Sequence, residues 1–234
     1  MIKDKNTGKQ RGRDVKRKVL EIIKSDDLDQ VLGELCRLPS RQVINALFSF
    51  LCSTEEEVKW RAVTAMGAVV TNLADEDIES ARVIVRRLMW QLNDESGGIG
   101  WGAPEAIGEI LACHEGLAGE YANILTSYIR EDGNFLEHEP LQRGALWGLA
   151  RVAQVRPDLV QDAKSYLIQR LGSTDATVRG LAALTLGLLG AEEARLELED
   201  LSADDTEVHL YVDRQIGVRR VSELAEQALA TTGE

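Results

Sequence analysis

Apolar residues along this chain recur at three- and four-residue intervals, the spacing of a helix with one buried face. Five ten-residue blocks share the pattern without gaps: VKWRAVTAMG from Val58, IGWGAPEAIG from Ile99, LQRGALWGLA from Leu141, VRGLAALTLG from Val178 and VSELAEQALA from Val221. Their starts lie 41, 42, 37 and 43 residues apart. In each block the first, fifth, eighth and ninth positions are mostly small or apolar, as in Val58, Ala62, Ala65 and Met66, or Leu141, Ala145, Gly148 and Leu149. Small residues at the centre of such a face let a neighbouring helix come close.

Ahead of each of the middle blocks runs a second amphipathic stretch with bulkier residues, for example Val43, Ile44, Leu47, Phe48 and Leu51, or Leu117, Tyr121, Ile124, Leu125 and Tyr128. Helix breakers and caps fall between the stretches, at Pro39-Ser40, Asp132-Gly133-Asn134, Pro157 and Gly172-Ser173. Each repeat therefore predicts a helical hairpin. One hairpin cannot cover its own apolar face, so the expected fold is an all-α solenoid of about five to six stacked hairpins. Two further helices, near 14–24 and 27–37, are expected to cap one end. Alternation of apolar and polar β-formers in Thr206-Glu-Val-His-Leu-Tyr-Val-Asp-Arg predicts one short β-hairpin near 207–219.

The form V-R-x-x-A-x-x-A-L-G on the second helix of a roughly 40-residue hairpin resembles the HEAT family. The resemblance spans about residues 40–230 and implies an armadillo-like α-solenoid; on function it is nearly silent. The segment GGIGWGAPEAIGEI, with NFLEHEPLQRGALWG after it, is also similar to a group of uncharacterised bacterial HEAT-like proteins. HEAT proteins often place an acidic residue three positions before the block and a basic one at its second position, which stitches repeats together. Glu55 with Lys59 and Asp175 with Arg179 keep that pair at the i,i+4 spacing. The two middle blocks have Ser96 with Gly100 and His138 with Gln142 instead. A local rule broken inside an intact fold marks a candidate site.

By helical phase, positions three and seven of each block leave the packed face, and with the next turn they are expected to line the inner, concave surface. The residues so placed in the central repeats are Trp60, Trp101, Glu105, Glu109, Arg143, Trp147 and Arg151. Exposed tryptophan beside arginine is the composition of binding hot spots. Ion pairs from Glu105 and Glu109 to Arg143 and Arg151 are expected across the seam; the competing expectation is that the same rings and charges simply pack between repeats. The glycines of the turn at 97–104, Gly98, Gly100 and Gly102, form a candidate anion seat ahead of Pro104, or a turn that lets two backbones pass closely. No strand precedes it and no Gly-Lys-Ser/Thr follows, which excludes a dinucleotide fingerprint and a P-loop.

Charge narrows the function classes. Residues 1–18 hold eight Lys or Arg against two Asp, a local +6, which leaves −18 on the other 216 residues of a chain whose net charge is −12. Such a body disfavours nucleic acid, because binding a phosphate backbone rests on several Lys or Arg contacts. A basic, disordered arm is expected at 1–13 and a single solenoid domain at 14–234, with nucleic-acid binding through the arm as one alternative. The three cysteines form no C-x-x-C pair, so neither a disulfide framework nor a zinc ribbon is indicated. The longest charge-free stretches run thirteen residues, Gln42 to Thr54 and Ala62 to Ala74, short of the roughly 20 that a membrane helix needs. With no apolar segment behind the first basic residues, a cytoplasmic location is expected.

Two His-Glu dipeptides, His114-Glu115 and His138-Glu139, are similar to those of the HEAT-type dimetal hydroxylases, but that family uses four, inside the repeated helix. They make a weak metal alternative. HEAT-like DNA glycosylases need a cationic groove that this body lacks, and no motif of the HEAT-like bilin lyases is present. The sequence thus favours a non-enzymatic protein- or peptide-binding scaffold with no cofactor, acting through the inner surface of the central repeats. The alternative is a metal- or cofactor-dependent enzyme or lyase near His114 and His138 and the glycine turn.

Overall fold

The computed structural model describes residues 4–92 and 100–231, with side chains from residue 12 onward. The chain is all-α apart from one two-stranded sheet. It divides into two compact units, Met1–Ala106 and Ile107–Glu234. The first helix begins at Asp4 and takes in the described part of the charge-rich N-terminal segment.

The first unit holds α1 (Asp4–Ile23), α2 (Leu28–Cys36), α3 (Ser40–Phe50), α4 (Glu56–Glu76) and α5 (Ile78–Leu92), with the first residues of α6 (Ala103–Cys113). α2 and α4 pack as one layer, and α1 and α3 as the other. Block positions Val58, Ala62, Ala65 and Met66 are all buried on α4, as the periodicity requires. Asp27 caps α2 by accepting from the Gln30 N–H at 3.1 Å.

The second unit continues with α7 (Glu115–Ser127), α8 (Glu139–Ala153), a 3-10 turn at Pro157–Ala163, α9 (Lys164–Leu171), α10 (Ala176–Leu188), a 3-10 turn at Glu192–Ala194, α11 (Arg195–Leu201), β1 (Glu207–Val212), β2 (Gln215–Arg220) and α12 (Val221–Thr231). Here α8, α10 and α12 pack side by side, with α9 and α11 behind them. The small residues of the blocks set how near the helices lie. A Cβ on Gly108 would come within 2.2 Å of the Gly148 Cα, so α6 and α8 cross backbone to backbone. The α10–α12 contact is similarly close, since a Cβ on Gly187 would come within 2.7 Å of the Ala228 Cα.

The sheet is the short antiparallel hairpin that the alternation predicts. Val212 pairs with Gln215 around a two-residue turn in which Asp213 and Arg214 both have positive φ, 51° and 62°. Val208, Leu210 and Tyr211 of β1 are buried, whereas all six residues of β2 are exposed.

Candidate functional site

In the first unit, Trp60, Trp101 and Glu105 take three different roles. Trp60 is buried, with the Lys59 ammonium 4.9 Å from its ring centroid. Glu105 is buried too, and its Oε1 accepts from Lys59 Nζ at 2.7 Å while Oε2 has no hydrogen-bond partner. Lys59 therefore does not meet Glu55, which instead takes Lys24 at 2.6 Å. The HEAT-type acidic–basic pattern works here between successive repeats, not within one helix. Trp101 alone of the three keeps a large face in water, 43% exposed, while its carbonyl receives the Cys52 thiol at 3.8 Å.

Of the glycine turn, Gly98 lies outside the described residues. Gly100 and Gly102 are packing glycines. A Cβ at Gly100 would meet the Gln91 carbonyl oxygen at 2.8 Å, and at Gly102, where φ is +76°, the Leu51 carbonyl oxygen at 2.7 Å. The Gly100 carbonyl also takes the Ala103 N–H at the start of α6. At both glycines the backbone passes close to a neighbouring carbonyl, the packing role that the sequence offers as the alternative to an anion seat.

In the second unit, Glu109, Arg143, Trp147 and Arg151 form a graded set. Arg151 donates from Nε to Glu109 Oε2 at 2.8 Å, the seam pair that the sequence predicts. Glu109 also receives the Cys113 thiol at 3.6 Å. Burial, together with the charge of Glu109, pushes that thiol up to about 12. Arg143, expected opposite a glutamate of the preceding repeat, pairs forward with Asp175 at 2.6 Å. Asp175 is at the same time the N-cap of α10, accepting from the Thr177 and Val178 N–H groups. Arg179 likewise reaches forward to Asp204, at 2.5 Å. Burial alone would raise the Asp204 carboxyl, but hydrogen bonds from Thr206 and Arg179 outweigh it and hold the carboxyl below its ordinary value.

Trp147 is the main departure. Helical phase sends it to the inner surface, yet it is only 6% exposed. Its indole Nε1 donates to the Tyr211 carbonyl at 2.6 Å, and the two rings lie 6.2 Å apart. Gly180, at the third position of the next block, faces the same cover, 3.6 Å from the Val208 side chain for a Cβ placed there. β1 thus lies across the inward positions of α8 and α10, and the chain itself occupies the surface read as open.

That cover is finished by an element the sequence reading did not treat as a site. From the closing pair Val212–Gln215, hydrogen-bonded and non-bonded pairs alternate along the hairpin. The N–H and C=O groups of Ile216, Val218 and Arg220 therefore point away from β1. Arg220 N–H is capped by Glu223 at 3.1 Å. Ile216 and Val218 present theirs on an edge where both side chains are also exposed, 38% and 51%. The signal available in the sequence was the placing of Ile216 and Val218 at alternate positions between Gln215, Gly217 and Arg219.

The two His-Glu dipeptides serve as helix starts. His114 Nδ1 accepts the Leu117 N–H at 3.1 Å and caps α7, and His138 stands at the N-cap of α8 ahead of Glu139. Among the described residues, no group of three or more His, Cys, Asp or Glu side chains is placed to hold a metal ion. No helix among them is long and apolar enough to cross a membrane.

The HEAT-like repeat family matches residues 139–189, from α8 through α10. An uncharacterized protein of Archaeoglobus fulgidus is 27% identical over 149 residues, 62% of this chain and 73% of that one. Among solved structures, a designed armadillo repeat protein in complex with the peptide (KR)4 aligns with a TM-score of 0.52 at 17% identity, covering 92% of this chain and 98% of that one. An engineered protein aligns with a TM-score of 0.53 at 18% identity over 94% of this chain and 96% of that one. Kap121p aligns at 0.57 and 16% identity, over 95% of this chain and 25% of that one. The fold is an α-solenoid of helical repeats, and residues 139–189 carry a HEAT-like repeat.

Proposed function

We propose that the protein is a non-enzymatic scaffold that holds an extended segment of a protein or peptide along β2, on the second-helix side of the unit formed by residues 107–234. The observation that carries this reading is the free edge at Ile216 and Val218, two outward backbone donor–acceptor pairs with exposed apolar side chains beside them. An incoming strand pairs with such an edge through its backbone and sets its alternate side chains against Ile216 and Val218. β1 seats the edge firmly, through Val208, Leu210, Tyr211 and the Trp147 bond. A rigid edge costs a ligand less ordering than a mobile loop.

Helical-repeat folds carry extended binding surfaces, and the designed armadillo repeat protein is in complex with the peptide (KR)4. Further contacts are assigned to Trp101 in the first unit, 43% exposed, and to Arg143 in the second, which reaches solvent beside its Asp175 pair.

Val218→Pro tests the reading. Its N–H points away from β1, so proline there removes a donor that the hairpin does not use. Extended peptides selected against the wild type by phage display are expected to lose about tenfold or more in affinity for the variant, with an unchanged circular dichroism spectrum. Equal binding by both proteins contradicts strand pairing at β2.

A further inference from the structure

The remaining tryptophan is the most exposed large apolar residue described in the chain. Trp90, in the last turn of α5, is 79% exposed, and Val83, two turns earlier, is 54% exposed. Arg86 and Arg87 lie between them and are exposed as well. Positions 83, 86, 87 and 90 share one helix face, about 10 Å long at 1.5 Å per residue.

The stripe is partly fixed in place. Arg87 donates to Asn45 Oδ1 at 2.7 Å, and its guanidinium stacks 3.9 Å from the centroid of the Phe48 ring on α3. Arg41 on α3 reaches Ser80 on α5 at 3.1 Å. Arg82 is paired with Glu79, the one acidic residue of α5. Among the described residues, α5 has no further carboxylate to pair with Arg86 or Arg87, on a chain whose net charge is −12.

We infer that this face of α5 docks an acidic amphipathic segment of a partner protein. Its carboxylates meet Arg86 and Arg87, and an apolar side chain one helical turn away covers Trp90 and Val83. Tryptophan and arginine concentrate binding energy in this way, and Arg87 enters the contact already held. Charge decides among occupants. A basic segment is repelled by the two guanidinium groups. A second copy docking by two-fold symmetry would set arginine against arginine. A narrow acidic segment sets its carboxylates against the stripe within the ~10 Å screening length, and an anionic membrane is the occupant the test below separates from it. This inference concerns the other unit and does not rest on the reading of β2.

The test uses the full chain and a fluorescein-labelled 16-residue helical peptide with Glu and Leu at i,i+4 spacing, alongside versions carrying Gln or Lys in place of Glu. Anisotropy is expected to show the Glu peptide bound about tenfold or more tightly than the Gln peptide, and the Lys peptide not bound. Trp90→Ala and Arg86→Glu are each expected to weaken the Glu peptide by about tenfold with the thermal melt unchanged, while Val218→Pro leaves it intact. Equal affinity for the Glu and Gln peptides, or wild-type binding by both α5 variants, overturns the inference. So does retention of the protein on phosphatidylserine vesicles without capture of the peptide, which would make a lipid surface the occupant.

Discussion

Trp147 and Trp90 show how differently the two units treat the same kind of residue. In residues 107–234 the inward-facing tryptophan of α8 is sealed under β1 and bonded to the Tyr211 carbonyl. In the unit before Ile107, the ring on α5 stands 79% in water beside two arginines. Helical phase assigns a side chain to a face; whether that face meets solvent depends on which element is laid over it. For α8 and α10 that element is a hairpin more than 60 residues away from Trp147 in sequence. The outcome is one tryptophan built into the fold and one standing in solvent.

The sharpest way to break this contrast is Trp147→Ala. It empties a buried aromatic site and orphans the Tyr211 carbonyl, so urea unfolding is expected to show a loss of about 3–5 kcal/mol, against less than about 0.5 kcal/mol for Trp90→Ala. A similar small loss at both positions would mean that the hairpin does not depend on the indole. Arg151→Ala is expected next, at about 2–3 kcal/mol, below the cost of breaking a fully buried pair because the arginine is partly in water. Gly108→Ala forces a Cβ against the Gly148 backbone and is expected to cost about 1–3 kcal/mol. Gly119→Ala on α7, where a Cβ meets nothing within 4 Å, is expected to be neutral or to stabilise by up to about 1 kcal/mol.

The cysteines sharpen the comparison without changing stability at neutral pH. Cys52 is exposed and is expected to react first with a disulfide reagent at pH 8, while Cys113, with its thiol pushed up to about 12, stays protonated and reacts only on unfolding. Because its folded value is raised, the stabilising contribution of Cys113 is complete below the ordinary thiol range and declines as pH rises from there toward 12. A thiol titration in which Cys113 reacts as fast as Cys52 would contradict its burial against Glu109.

The layers of the fold were legible because burial follows the helical period. Ala62, Ala145, Ala182 and Ala225 recur at the same block position and are all fully buried. The hairpin was legible from alternation. Its placement was not, since nothing local to residues 207–220 says that Tyr211 will meet Trp147. The ion pairs misled for a related reason. Lys59 stands four residues from Glu55 but pairs with the buried Glu105, 46 residues on, and Arg143 and Arg179 likewise reach forward to the next repeat, whereas Arg151 reaches back to Glu109. Trp90 escaped notice because the repeated blocks cover only the second helix of each hairpin, and α5 is a first helix. The acidic body and the basic start hid a local reversal: three arginines within six residues of α5.

Amide hydrogen exchange along β2 tests the open edge most directly. The account predicts protection alternating residue by residue, slow at Gly217 and Arg219, whose N–H groups bond to β1, and fast at Ile216 and Val218. Slow exchange at Ile216 and Val218 as well would show the edge already occupied and would contradict its availability to a partner.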